Sequence, residues 1–168
     1  MTYSLLTSLK DSDIPQLLSN HLLPEVSRFI DINEKKYFKY VTKTENVFYY
    51  KISENGKLIG SVHCEISGTV LYVSLLIFPE FQNNGFGTKV IKDIISGALS
   101  LRVTVISEPA RKRAFSALFG VSALKGLNFD SIEISIDKTN LPSLRLFEKV
   151  GFIKTSVDGG LVNYTYIK

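Results

Sequence analysis

Apolar and polar positions along this chain repeat with two periods, and the switch between them marks its organisation. Val47 to Ile52 is β-branched and aromatic, and Glu54-Asn55-Gly56-Lys57 is a strong turn signal before a second strand, Leu58 to Ile66. Ser67-Gly68 turns into a third strand, Thr69 to Phe78, so the pattern predicts an antiparallel meander. After Gly87 the period lengthens: Val90, Ile91, Ile94 and Ile95 recur at helical spacing, which predicts a helix over Lys89 to Ser96.

Both flanks carry further elements. Tyr3 to Leu9 reads as a short first strand. Asp11 and Ser12 are candidate caps for a helix bearing Ile14, Leu17 and Leu18, with Pro15 tolerated in its first turn. A second helical stretch, Glu34 to Val41, follows Asn33, and this region is rich in rings (Phe29, Tyr37, Phe38, Tyr40). Ser131 to Ile136 alternates as a strand, and Pro142 to Val150 reads as a helix with Gly151 just past its end. Phe152 to Val157 and Leu161 to Ile167, joined by Asp158-Gly159-Gly160, close the chain as a hairpin. The expected fold class is a mixed α/β sheet in one domain over residues 1–168: an antiparallel meander, then strand–helix–strand–helix and the hairpin. Residues 97–130 do not fit that order. Leu101 to Ile106 reads as a strand, and Glu108 to Leu124 as a helix with an apolar stripe of Phe115, Leu118 and Phe119, together an inserted strand–helix element.

Composition narrows the function classes. With 168 residues, 45% hydrophobic and 21% charged, the chain has the balance of a globular domain able to bury a core. Lys and Arg outnumber Asp and Glu by 20 to 16, a formal charge of +4 that suits an anionic ligand. The basic residues are scattered, so no nucleic-acid face is implied. One cysteine, Cys64, excludes an internal disulfide, and with only His21 and His63 besides, no metal site assembles at familiar spacings. No basic leader precedes an apolar run, and no apolar stretch approaches the roughly 20 residues that cross a bilayer. The expectation is a cytoplasmic protein with neither metal nor membrane partner.

The most informative residues are Gln82-Asn83-Asn84-Gly85-Phe86-Gly87-Thr88, directly after the apolar strand Leu71 to Phe78 and opening the next helix. A turn of two glycines and two asparagines exposes consecutive backbone N–H groups. With the positive end of the helix dipole these make an anion cradle, suited to a pyrophosphate. It is not a P-loop, because no Lys-Ser/Thr follows the second glycine, nor a dinucleotide fingerprint, whose first glycine would fall at Gln82.

Phe78-Pro79-Glu80-Phe81-Gln82-Asn83-Asn84-Gly85-Phe86-Gly87 resembles the Gln/Arg-x-x-Gly-x-Gly/Ala motif of the GNAT acetyltransferase superfamily, with its apolar-x-Pro-Glu lead-in. Asn140-Leu141-Pro142-Ser143 and Phe147-Glu148-Lys149-Val150-Gly151-Phe152 resemble the family's second signature, in the right order. The match covers about Leu71 to Phe152, interrupted by the insert. Ser143 and Glu148-Lys149 resemble the branch that includes ribosomal-protein-alanine N-acetyltransferases. The resemblance implies acetyl-CoA as co-substrate and an amine of a small molecule or peptide N-terminus as acceptor. It also implies a bulged strand splayed from its neighbour, with Ile77 and Phe78 along the pantetheine arm. Gln82, Asn83, Asn84, Gly85, Phe86, Gly87 and Thr88 would hold the phosphates, and Asn140, Ser143 and Phe147 would complete the coenzyme site.

Acetyl transfer from a thioester to an amine needs a base, an oxyanion donor and a leaving thiolate. A backbone N–H near Ile77 or Phe78 is the candidate oxyanion donor. The family's usual catalytic side chains do not carry over. Phe147 stands where many members place a Tyr, Ser135 where some place a Glu, and Leu71 to Phe78 holds no acid. Substitutes come from the neighbouring strands: His63 and Glu65 share one face, as do Tyr72 and Ser74. Glu65 is the candidate base with His63 assisting, and Tyr72 the candidate proton donor; the alternative is that all three are ordinary surface and packing residues. Cys64, facing the other way, reads as a small buried hydrophobe. Arg111-Lys112-Arg113 reads as a solvated helix face. The aromatic region Phe29 to Tyr40 is expected to wall the acceptor pocket, and the insert to form a second wall or a homodimer contact. The alternative function is a CoA-binding module without catalysis, and a third is a nucleotide-binding protein using the same cradle.

Overall fold

The meander forms because its three segments alternate on a pleat and are joined by turns that use residues tolerant of positive φ. Asn55 (φ 50°) and Gly56 (φ 77°) close the first hairpin and Gly68 (φ 58°) the second. The computed structural model describes residues 1–97 and 129–168. Strands β1 (Thr2–Leu5), β2 (Val47–Glu54), β3 (Lys57–Ser67) and β4 (Val70–Ile77) pair antiparallel in sequence. Strand β5 (Ser131–Asp137) joins β4 in parallel, and β7 (Leu161–Ile167) sits between β5 and β6 (Ile153–Asp158). The result is one seven-stranded mixed sheet of order β1-β2-β3-β4-β5-β7-β6, the expected fold class.

Helices cover both faces. Helices α1 (Ile14–His21), α2 (Pro24–Ser27) and α3 (Tyr37–Lys43) lie on one side, where Leu17, Val26, Phe38 and Val41 bury against Val47, Tyr49, Leu76 and Phe78. Helices α4 (Phe86–Ile95) and α5 (Leu141–Lys149) lie on the other. There Val90, Ile91, Ile94 and Phe147 pack on Val62, Cys64, Leu71, Ile77 and Ile132. This cluster and the first share one sheet, so each β4 residue serves one face or the other by parity. None of the described helices is long and apolar enough to cross a membrane.

Several boundaries differ from the sequence expectation. The first strand ends at Leu5, because Asp11 N–H turns back to the Ser8 carbonyl and the Asp11 carboxylate accepts from Asp13 N–H. Asp13, not Asp11 or Ser12, is the N-cap of α1, and Lys51 bridges both carboxylates at 2.8 and 2.6 Å. The second expected helix starts at Tyr37 rather than Glu34. The one-turn α2 was not anticipated; Pro24 at its first position was the available signal. The expected bulge is absent from β4: its register with β3 runs unbroken from Gly60↔Ile77 to Ser67↔Val70, and the irregularity lies one strand away at Ile52/Ser53. The expected strand Leu101–Ile106, the helix Glu108–Leu124 and the basic run 111–113 lie outside the described residues.

Candidate active site

Strands β4 and β5 separate soon after they meet. Their pairing runs from Val70↔Ser131 to Tyr72↔Glu133, after which β4 continues to Ile77 with β3 as its one partner among the described residues. Alternate residues of a strand direct their N–H and C=O to the same neighbour. Phe78 N–H donates to the Ile59 carbonyl at 2.9 Å, while the Thr69 carbonyl accepts from Asp130 on the other side. By that parity Val73 N–H closes the last β4–β5 bridge, and the N–H groups of Leu75 and Ile77 open into the gap beyond it. This corrects the expectation for Phe78. Its amide is engaged with β3 and its side chain is fully buried under α1–α3, so it lines no arm. Ile77 keeps an amide facing the gap.

The gap runs into the glycine-rich turn. Pro79–Phe81 make a single 3-10 turn, then Asn83 (φ 62°) and Gly85 (φ 78°) take left-handed backbone. The side-chain amide of Asn84 braces the bend by donating to the Phe81 and Gln82 carbonyls at 3.2 and 3.0 Å. Gly85 is the N-cap of α4, with no side-chain cap, and the first helical bond is Lys89 N–H to the Gly85 carbonyl at 3.1 Å. The N–H groups of Phe86, Gly87 and Thr88 precede that bond and have no partner within the helix. Gly87 also faces α5. A Cβ there would lie 2.7 Å from Leu146 Cδ1, so the end of that side chain would have to shift to admit one.

Around this turn lies a cavity of about 400 Å³, lined by Ile77, Gln82, Asn83, Gly85, Phe86, Gly87, Thr88, Asn140, Ser143 and Phe147 among others. Every expected coenzyme residue except Phe78 and Asn84 is on that wall, and Asn84 instead props the turn from within. Asn140 caps α5 by accepting from Ser143 N–H at 3.3 Å, and Phe147 packs edge-on to Phe152 with centroids 5.1 Å apart. Leu75, Arg28 and Phe29 also line the cavity, the last two from the α2 segment that composition alone did not connect to it.

A second, smaller cavity of about 160 Å³ opens on the α1–α3 side of the same gap, lined by His63, Glu65, Tyr72, Val73, Ser74, Glu133, Ile134 and Ser135. The register explains the grouping: Glu65 sits opposite Tyr72, Tyr72 opposite Glu133, and His63 opposite Ser74. Cross-strand partners share a face, so the three candidate catalytic residues do converge. Tyr40 donates to a Glu65 carboxylate oxygen at 2.8 Å, and the Tyr37 hydroxyl bonds His63 Nδ1 at 3.1 Å. The bond to Glu65 pushes the Tyr40 phenol above its ordinary pKa. Burial lowers the His63 pKa against the opposing pull of Glu65, which favours the neutral ring at neutral pH. His63 Nε2 is shielded from solvent and has no hydrogen-bond partner among the described residues.

Sequence reasoning does not reach Glu133, and it puts Tyr37 and Tyr40 on the acceptor wall without their bonds to His63 and Glu65. The alternation of Ser131 to Ile136 already put Glu133 on the polar face, but only the parallel register sets it beside Tyr72. Cys64 faces the α4 cluster, fully buried, and burial raises its thiol pKa to about 12, which makes it an inert packing residue. Among the described residues no group of three His, Cys, Asp or Glu side chains converges as a metal site.

A family model described as an acetyltransferase (GNAT) domain matches residues 5–153. Among solved structures, a domain from Methanocaldococcus jannaschii DSM 2661 is 16% identical, with 99% of each chain covered and a TM-score of 0.70. The Campylobacter jejuni N-acetyltransferase PseH, solved with acetyl coenzyme A, is 14% identical, covering 99% of this chain and 98% of its own, with a TM-score of 0.68. A spermidine N-acetyltransferase from Vibrio cholerae, solved with CoA and spermine, is 16% identical over 98% of this chain and 95% of its own, with a TM-score of 0.65. At these identities the likeness is one of fold. No curated protein sequence matches significantly.

Proposed function

This chain belongs to the GNAT acetyltransferase domain family, and from that premise we propose that it moves an acetyl group from acetyl-CoA to a primary amine by direct transfer in a ternary complex. One observation carries the reading. The β4 edge beyond its pairing with β5, with the N–H groups of Leu75 and Ile77 free of the described ladder, leads straight into a turn whose N–H groups have no helical partner. A strand edge suits the amide-bearing pantetheine arm, and the turn with its helix dipole suits the pyrophosphate. The residues present therefore fit the co-substrate.

The larger cavity runs from the glycine-rich turn and α5 to the α2 segment, and the smaller one opens beside it between β3, β4 and β5, which supports a thioester entering from the first and an amine from the second. Glu65 accepts a proton from the acceptor ammonium, directly or through water. The freed amine nitrogen bonds the thioester carbonyl carbon, and a β4 N–H such as that of Ile77 stabilises the oxyanion. The carbon–sulfur bond then breaks, leaving an amide and the CoA thiolate. With a thiol pKa near 8.5 the thiolate is a fair leaving group without an acid, which accommodates Phe147; Tyr72, exposed in the smaller cavity, is the proposed proton donor. Holding both reactants in place supplies on the order of 7 kcal/mol or more of the barrier reduction in well-oriented cases. Tyr37 and Tyr40 wall the acceptor side, and Ser143 with Glu148-Lys149 leans the acceptor toward a peptide N-terminus.

The test is release of free CoA thiol from acetyl-CoA over a panel of small amines and peptide N-termini. Amine-dependent release is expected, and none above background on any amine overturns the reading. The absence of an acid on β4 and of a phenol at Phe147 favours a second reading, a CoA-binding module without turnover. Tight CoA binding with no thiol release on any amine identifies that case.

A further inference from the structure

The larger cavity carries a charge imbalance that the amide turn does not resolve. A CoA diphosphate brings about two negative charges, whereas a helix N-terminus offers the equivalent of roughly half a positive charge. Among the described residues that line the cavity, Arg28 is the one cation and Glu25 the one anion. Both belong to the α2 segment, across the cavity from the turn.

Arg28 is placed to be a movable counter-charge. It is the C-cap of α2, whose Val26 is buried and fixes the segment to the core. The side chain itself is exposed, forms no salt bridge among the described residues, and rests its guanidinium 4.4 Å over the Phe29 ring, another wall residue. Thr139 and Asn140, at the β5–α5 corner, line the same cavity as Arg28, so the guanidinium shares that space with both the corner and the glycine-rich turn. A planar fork of N–H donors matches two phosphate oxygens at once, with more geometric specificity than a lysine ammonium.

Resting on the acetyl-CoA reading above, we propose that Arg28 is a phosphate-binding arm that closes from α2 onto the CoA pyrophosphate, opposite the residue 82–88 amides. This adds a side-chain cation to a site the sequence motif describes by backbone alone. The arm leaves the Phe29 ring when it engages phosphate, so binding couples to the wall of the cavity.

The experiment is calorimetric titration of wild type, Arg28→Gln and Arg28→Lys with CoA and with dephospho-CoA, which lacks the 3′-phosphate. Arg28→Gln is expected to weaken both ligands about tenfold, the equivalent of about 1.4 kcal/mol. Its unliganded melting temperature should not change, and Arg28→Lys should keep part of the affinity. The wild-type affinity should fall with added salt more steeply than that of Arg28→Gln. Equal affinities for wild type and Arg28→Gln overturn the proposal while leaving the acetyl-CoA reading intact. A loss confined to CoA, with dephospho-CoA unaffected, overturns it in favour of a 3′-phosphate contact. Wild type that binds neither ligand removes the acetyl-CoA reading itself and this proposal with it.

Discussion

The Gln82 side-chain amide donates to the Ile77 carbonyl at 2.9 Å, tying the end of the splayed strand to the start of the phosphate-binding turn. One peptide plane is thereby held with its carbonyl toward the turn. The Ile77 N–H, on the same parity, is left facing the gap. Gln82→Leu keeps the size and removes the donor, stranding a part-buried carbonyl at a cost of about 1 kcal/mol. We expect CoA affinity to fall about fivefold with a small drop in melting temperature. Unchanged CoA affinity, read by calorimetry, would show that the tie has no bearing on the site.

Gly60 holds the same strand from the other side. A Cβ at that position would stand 2.2 Å from the Leu76 carbonyl oxygen and 3.1 Å from Ile77 Cα, so β4 could not keep its place. Gly60→Ala should cost about 1–3 kcal/mol, the usual range for overpacking, in a urea melt. It should also weaken CoA binding, because the displaced residues are those at the cavity. A variant as stable as wild type contradicts the close approach of β3 and β4.

Glu65 is the proposed base, held by Tyr40 at 2.8 Å. Glu65→Gln should lower kcat by about 10² or more while leaving the KM for acetyl-CoA unchanged, since it lies in the other cavity. Tyr40→Phe should lower kcat by a smaller factor. Full activity in Glu65→Gln would pass the role to Glu133, the other carboxylate of that cavity.

His21 sets a pH limit on stability. Its ring is 2% exposed, Nε2 bonds the Tyr49 hydroxyl at 3.1 Å, and Tyr49 donates to Ser61 Oγ at 2.8 Å. Burial first, then the nearby His63, lowers its pKa to about 4, against 6.5 in an exposed chain. The unfolded state therefore binds the extra proton between those values. Stability is complete above about pH 6.5 and falls as pH drops toward 4, by about 3 kcal/mol across the window. His63 acts in the same direction. Urea melts at pH 7 and pH 5 should differ by about 2 kcal/mol, and His21→Asn should flatten the slope. A wild-type profile flat over that range contradicts the buried neutral ring.

Much of this was legible before any coordinates. Period-two alternation placed β2 through β4 to within a few residues, and the 3.6-residue recurrence of Val90, Ile91 and Ile94 found α4. The same-face argument for His63 and Glu65 needs only strand parity, and the register bears it out. What could not be read is whatever depends on who sits beside whom. Phe78 looks like a cavity residue from the motif, but its parity turns it to β3 and the α1–α3 core. Glu133 lies far along the chain from Tyr72 and meets it only through a parallel pair. Arg28 hangs from a single helical turn too short to show a period. Gly87 reads as a ligand-facing glycine and does line the cavity, but its second neighbour, Leu146 Cδ1 on another helix at 2.7 Å from where a Cβ would be, could not be read.

Gly85 takes φ 78° with nothing within 4 Å of its absent Cβ, so a side chain has space at a position that lines the cavity. Asp tolerates the left-handed region better than most residues and adds a negative charge. Gly85→Asp should stay folded, lose CoA binding and lose turnover together. Retained CoA affinity would move the phosphates elsewhere.

The most direct test of the account is a crystal structure with acetyl-CoA bound. The account predicts pyrophosphate oxygens within hydrogen-bonding distance, about 2.7–3.2 Å, of N–H groups among residues 83–88. The pantetheine should run along the Val73–Ile77 edge, with its thioester in the gap between the two cavities. Coenzyme found on another surface, or a turn whose N–H groups are closed off from it, would contradict the functional assignment.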